Sequence, residues 1–351
     1  MKTMSQDLFD ILSLTGEPAI LVKQGKIGFA NAAAQRLPGV CEGRKAEELL
    51  GLDVGKSPAR SYLADTQIQG VNYILRVNRV DGGRLVFLDR QEAAPAILND
   101  AFLYNLRSSL MTLGIAADRL RPSAEDLGNA EMLSDLTALT SSYYKLMRLS
   151  SNASLVRDLF EHRAGAVALD LDLSLLCHAV LDAAEEPFPD VHIVREIQSG
   201  LHASVDAALF KQMLFNLLSN CFCHARATLV QVRLYDTGEH AVLVVSDNGV
   251  GIPAQAMHTV FDRYRYTHTL TEMGGGAGLG LTAARGITQM HGGTLLLESR
   301  EDQGTAVHAS FSRRTGIGRM AATDELCSMR DVLLGLADCL PERYFQARYL
   351  D

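Results

Sequence analysis

The residues best suited to chemistry lie in the C-terminal half of this 351-residue chain. In the string FNLLSNCFCH, Asn216 and Asn220 stand four apart and share one helix face. Their amide oxygens are neutral ligands of the kind a magnesium ion accepts while keeping waters and phosphate oxygens in its shell. Two capping or core asparagines would give the same spacing. Further on, Asp247-Asn-Gly249-Val-Gly251-Ile-Pro253 follows an apolar run. A carboxylate at a strand end accepts a hydrogen bond from an amine such as that of adenine, and Gly249 and Gly251 let backbone approach a flat ring. Asp-Asn-Gly is equally good turn chemistry. Arg263 and Arg265, set among aromatic residues, offer guanidinium groups to phosphate oxygens or to solvent. The run Gly274-Gly-Gly276-Ala-Gly278-Leu279-Gly280-Leu281 leads into a helical pattern, where bare backbone N–H groups and a helix N-terminus favour phosphate. Gly304-Thr305 precedes a last apolar strand.

These residues need a frame, and hydrophobic period supplies one. Residues 207–224 and 278–290 read as helices, and 229–234, 241–246, 294–299 and 305–311 as strands of a mixed sheet. Near the N-terminus, residues 18–22 and 27–30 read as strands around Gln24-Gly25-Lys26, and 73–80 and 84–88 as a hairpin across Asp81-Gly82-Gly83. Small helices fill residues 32–37 and 46–50. Between the two regions, helices are predicted at 94–120 and 124–151, broken at Arg121-Pro122-Ser123, because proline stops one helix and serine caps the next. Phe102, Leu103, Leu106, Leu110 and Leu113 recur at helical spacing, as do Leu133, Leu136, Leu139, Tyr143, Leu146 and Met147. One hairpin cannot bury both stripes, so a homodimer through a four-helix bundle is expected. An amphipathic stretch at 325–340 reads as a terminal helix packed on the body.

Composition narrows the class. With 47% hydrophobic and 21% charged residues, the chain can build several cores, and no apolar run is long enough to span a bilayer. The net charge of -8 argues against direct nucleic-acid binding, which needs a basic footprint. Six scattered cysteines make no disulfide framework, and a cytoplasmic location with reduced thiols is expected. Neither a Gly-x-x-x-x-Gly-Lys-Ser/Thr loop nor a dinucleotide-binding Gly-x-Gly-x-x-Gly fingerprint is present.

In their order and spacing the five strings resemble the ATP-binding domain of sensor histidine kinases, the HATPase_c or GHKL type with its Bergerat α/β sandwich. The resemblance runs from about Val167 to Arg314. It implies ATP and Mg2+ as ligands, with Asn220 as magnesium ligand, Asn216 its neighbour and Asp247 the adenine acceptor. Arg263 and Arg265 would belong to a lid, Gly276, Gly278, Leu279 and Gly280 would meet phosphates, and Thr305 would lie beneath the adenine. The string ILVKQGKIGFANAAAQRL and the elements around it resemble a PAS sensor domain. The implied organisation is α+β and multidomain: a PAS-like α/β sensor at 1–92, a dimerisation hairpin at 93–153, the nucleotide domain at 160–314 and a helical extension at 315–351.

The resemblance fails at one chemical point. Sensor kinases carry a phosphoacceptor histidine, an acidic residue and then Leu-Arg-Thr-Pro-Leu on the first hairpin helix. Here that string is Tyr104-Asn105-Leu106-Arg107-Ser108-Ser109-Leu110, and the first histidine in the chain is His162. A phenol of pKa about 10 with no base beside it is a poor nucleophile. Cys223 also stands where the family usually places a basic phosphate contact. These departures predict a pseudokinase that binds ATP without autophosphorylating its own hairpin. Two alternatives stay open: a kinase acting on another protein, as in anti-sigma serine kinases, some of which place a histidine at the position of His224, or a scaffold or phosphatase for a response regulator, with Asn105 or Ser108 positioning a water. Response regulators or a partner kinase are the partners implied.

Overall fold

The computed structural model describes residues 17–55, 61–80, 82–90, 100–160, 165–253, 279–313 and 326–346. The chain divides into two compact units, residues 1–92 with 294–299, and residues 93–293 with 300–351.

In the first unit, β1 (Ala19–Lys23) and β2 (Lys26–Ala30) form a hairpin whose two turn residues, Gln24 and Gly25, both take positive φ, 47° and 74°. That pair matches the twist of the flanking strands. Two short helices follow, α1 (Ala32–Gln35), capped by the Asn31 side chain, and α2 (Ala46–Leu50). The strands β3 (Ser61–Ile68), β4 (Val71–Val80) and β5 (Gly83–Arg90) complete an antiparallel order β2-β1-β5-β4-β3. Alternate residues Tyr73, Leu75 and Val77 of β4 turn one way and join Ile20, Val22, Ile27, Leu50, Val86 and Leu88 in a single core. Strand β3, absent from the sequence-based reading, pairs with β4 throughout, and residues 295–299 pair beside it at Leu297 and Leu63.

The second unit opens with the helical hairpin, α3 (Asp100–Asp126) and α4 (Ala130–Phe160). The predicted break at Pro122 is incorrect. Proline removes one intrahelical bond, yet α3 continues through it. Buried Arg121 donates from Nη2 to Thr140 Oγ1 at 2.9 Å and to the Phe345 carbonyl at 3.2 Å, and Ala124 is buried, so tertiary bonds hold the turn beyond the proline. The chain reverses instead at Gly128, φ 59°, where Asn129 Oδ1 accepts from the Met132 N–H at 3.1 Å and starts α4. Helix α4 also runs nine residues past the expected end at 151.

Next come β6 (Leu169–Asp172), α5 (Leu173–Glu185), β7 (His192–Ile197), β8 (His202–Val205) and α6 (Ala207–Ser219). The last helix begins where Asp206 Oδ1 accepts the Ala208 and Leu209 N–H groups at 3.0 and 3.2 Å. Then follow β9 (Leu229–Asp236), β10 (His240–Asp247), α7 (Leu279–Met290), β11 (Leu295–Ser299) and β12 (Thr305–Ser312). Strands β12, β10 and β9 are antiparallel, and β7 lies parallel to β9. Val230, Val232 and Leu234 of β9 and Val307, Ala309 and Phe311 of β12 alternate into the core, where Phe311 meets Phe210 of α6 at 5.3 Å between ring centroids. The expected terminal helix at 325–340 is shorter: α8 spans Met329–Gly335, closed at its start by a Ser328/Asp331 capping box, and a 3-10 turn covers Glu342–Phe345. Among the described residues no helix is long and apolar enough to cross a membrane.

Candidate functional site

Helix α6 carries Asn216 and leads directly into Asn220, and its apolar residues Phe210, Met213, Leu214, Leu217 and Leu218 are buried at helical spacing, which fixes the face they leave. The helix does not continue regularly to His224 as the sequence suggests. Asn220–His224 form a π turn, a widening that re-aims side chains and recurs at functional sites.

The two amides differ in what is left to them. Asn216 is buried, and its Oδ1 accepts from Arg148 Nη2 at 3.1 Å and from Asn152 Nδ2 at 3.2 Å, while its Nδ2 donates to Asn152 Oδ1 at 3.1 Å. Both lone pairs of that carbonyl are thus occupied by α4. On Asn220 the inner amide atom, Nδ2, is buried without a hydrogen-bond partner. Amide O and N are interchangeable by a flip, so this orphaned end fits an oxygen turned to a cation. Of the two side chains, only that of Asn220 keeps a buried amide atom without a partner.

Asp247 ends β10 opposite Thr305 in the β10–β12 register. Its Oδ1 accepts the Gly249 N–H at 2.8 Å, the Thr305 N–H also points to its carboxylate, and the Cys221 thiol reaches Oδ2 at 3.7 Å. Partial burial pushes the carboxyl above its ordinary value, against the pull of these donors. Cys221 thereby fastens the π turn to the Asp247 loop, as does the Val250 N–H on the Ala225 carbonyl at 3.0 Å. Gly249 is required by that closeness, since a Cβ there would lie 2.2 Å from the same carbonyl. Gly251 likewise faces the Arg300 carbonyl. These glycines therefore serve backbone packing around the loop, a role the sequence alone did not suggest. Gly280 opens α7 against Asn216, with a virtual Cβ at 3.7 Å from its side chain. Leu279 is buried with Leu103, Ala153, Val156 and Ala283. Asn216, Asn220, Asp247, Gly249, Gly251, Gly280 and Thr305 are thus linked through neighbouring elements. Arg263, Arg265, Gly276 and Gly278 lie outside the described residues.

Residues 205–315 match the family model described as histidine kinase-, DNA gyrase B-, and HSP90-like ATPase. This segment belongs to that family. Among curated proteins, sensor histidine kinase YvrG of Bacillus subtilis is 30% identical over 39% of this chain and 24% of its own length. The adaptive-response sensory kinase SasA of Synechocystis is 27% identical over 73% of this chain and 70% of its own length. Of solved structures, the mycobacterial sensor histidine kinase MprB aligns at 27% identity with TM-score 0.37, covering 42% of this chain and 99% of that one. The chain spans about a quarter of the length of several of the relatives it matches, and it carries an ATP-binding domain of the sensor histidine kinase, or GHKL, type.

Within this kinase-type domain the motif residues were legible, but their anchors were not. Arg148 and Asn152 of α4 hold Asn216, and Arg148 Nη1 also donates to Ser219 Oγ at 2.9 Å and pairs with Asp338 Oδ2 at 2.7 Å. No spacing in the sequence links residues 148, 216 and 338. On α3, Tyr104 is 74% exposed, and Asn105 and Ser108 are exposed beside it.

Proposed function

We propose that the chain binds ATP with magnesium at this cluster and works as a histidine-kinase homologue in two-component signalling that does not autophosphorylate its own hairpin. The observation that carries the reading is the buried, partnerless Nδ2 position of the Asn220 amide, one turn from Asn216 at a helix end tied to Asp247. Asn220 would hold the magnesium ion and Asp247 would accept the adenine amine. Bound magnesium would supply neutralisation of phosphate charge. Cys223 offers no cation at its position, so charge on the triphosphate falls to Arg263 and Arg265.

Loss of autophosphorylation rests on Tyr104, which puts a phenol in place of an imidazole, with Asn105 where an acid would orient the acceptor. The antiparallel order of the N-terminal sheet with its two short helices supports a PAS-like sensor for that unit. Exposed Met111, Leu113, Ile115, Leu139 and Leu146 on the hairpin support pairing with a second copy. The accessible Asn105 and Ser108 favour a second reading, a scaffold or phosphatase for a response regulator, with one of them positioning a water.

Calorimetric titration with magnesium and ATP tests the site: binding is expected for the wild type, with at least a tenfold loss for Asn220→Ala and for Asp247→Ala. Normal binding by both variants overturns it. Incubation with ATP labelled on the γ-phosphate is expected to leave no acid-labile label on the chain, and acid-labile label on any histidine overturns the pseudokinase reading. Label removal from a phosphorylated receiver domain separates the second reading from the first.

A further inference from the structure

Six cysteines are present, and four of them offer little to one another: Cys41 is exposed on the first unit, Cys177 and Cys221 are buried, and Cys327 lies near the start of α8. Cys223 and Cys339 are different. They are 116 positions apart, yet both sulfurs reach the same hydroxyl, Ser219 Oγ, at 3.7 Å and 3.9 Å. Both are partly accessible. The segment bearing Cys339 is docked on the nucleotide-binding helix by independent contacts: Lys211 to Asp331 at 2.6 Å, Gly335 against the Phe215 ring, and Asp338 on Arg148.

We propose that Cys223 and Cys339 form a reversible disulfide that fastens the C-terminal segment to the end of the nucleotide-binding helix. The oxidant is a hydroperoxide. The Cys223 thiolate attacks the peroxide oxygen, the O–O bond breaks with hydroxide or alkoxide leaving, and Cys223 becomes a sulfenic acid. The Cys339 sulfur then attacks that sulfur, the S–O bond breaks, and water leaves with the Cys339 proton. Two thiols lose two electrons to one peroxide. Cys223 is the fitting nucleophile, because the neighbouring Cys339 thiol, the Ser219 hydroxyl and the nearby Arg148 charge hold it below the usual thiol value, whereas the neighbouring Cys223 sulfur and burial push Cys339 up. Once formed, the bond keeps Asp338 at Arg148 and therefore Arg148 at Asn216. None of this requires that the cluster bind ATP.

The test uses the reduced full chain, treated with hydrogen peroxide and digested without reductant for mass spectrometry. A linked pair joining peptides 212–226 and 331–343 is expected, with fragmentation placing the bond on Cys223 rather than Cys221, and with full recovery of two thiols on adding dithiothreitol. Cys339→Ser should stop at a dimedone-reactive sulfenic acid on Cys223. Recovery of both residues as free thiols, or as separate sulfinic acids, overturns the proposal, and so does an equal yield of the same link when oxidation is done in urea.

Discussion

Gly304 shows how narrowly the site is set at the scale of single residues. Its φ is 85°, and a Cβ there would sit 1.9 Å from the Asp247 carbonyl oxygen, closer than any real contact. Gly304→Ala must therefore displace the backbone that carries the Asp247 carboxylate, at a strain cost of about 1–3 kcal/mol. Urea denaturation should give a lower midpoint for this variant and titration a weaker affinity for ATP; unchanged values in both would mean the loop is looser than its geometry implies. The same scale explains why the motif residues were readable in advance. An amide pair, a carboxylate after a strand and small residues at fixed offsets are local in sequence, so order and spacing carry them. Arg148, Asn152 and Asp338 are not local, and their roles follow only from the packing that brings α4 onto Asn216 and the segment of Asp338 onto Arg148.

Elements add a dependence on pH. His291 follows α7 and is buried, its Nδ1 bonded to the Ile287 carbonyl at 2.7 Å and its Nε2 accepting the Asp206 N–H at 2.8 Å. Burial holds its pKa below the ordinary 6.5, so the neutral ring is favoured in the fold. Below that ordinary value the unfolded chain binds more protons than the folded one, and stability falls as pH drops. The thermal midpoint should therefore decline from pH 7 toward pH 5, with a shallower decline in His291→Gln; equal slopes would remove His291 from the account. Strong hydrophobic period made β9, β10, β12 and α6 legible. Elements fixed by tertiary bonds were harder: Pro122 looked like a helix stop because the buried Arg121 bonds that carry α3 past it are invisible in sequence, and β3, with Asp65, Thr66 and Gln67 interrupting its apolar residues, gave no clear alternation.

For the whole molecule, the hairpin leaves Met111, Leu113, Ile115, Leu139 and Leu146 exposed. Multi-angle light scattering of the full chain should give the mass of a dimer, and Leu113→Glu combined with Leu139→Glu should shift it to a monomer; a monomeric wild type would contradict pairing through α3 and α4. The kinase-type assignment of residues 205–315 stands apart from that question and rests on the family match. What the molecule does with nucleotide turns on the cluster around α6 and β10. The most direct measurement is a crystal structure with magnesium and a nonhydrolysable ATP analogue. The adenine amine is expected at the Asp247 carboxylate and the metal at the Asn220 amide oxygen. A purine bound elsewhere, or a cluster left empty at saturating analogue with Asn220 turned inward, would contradict it.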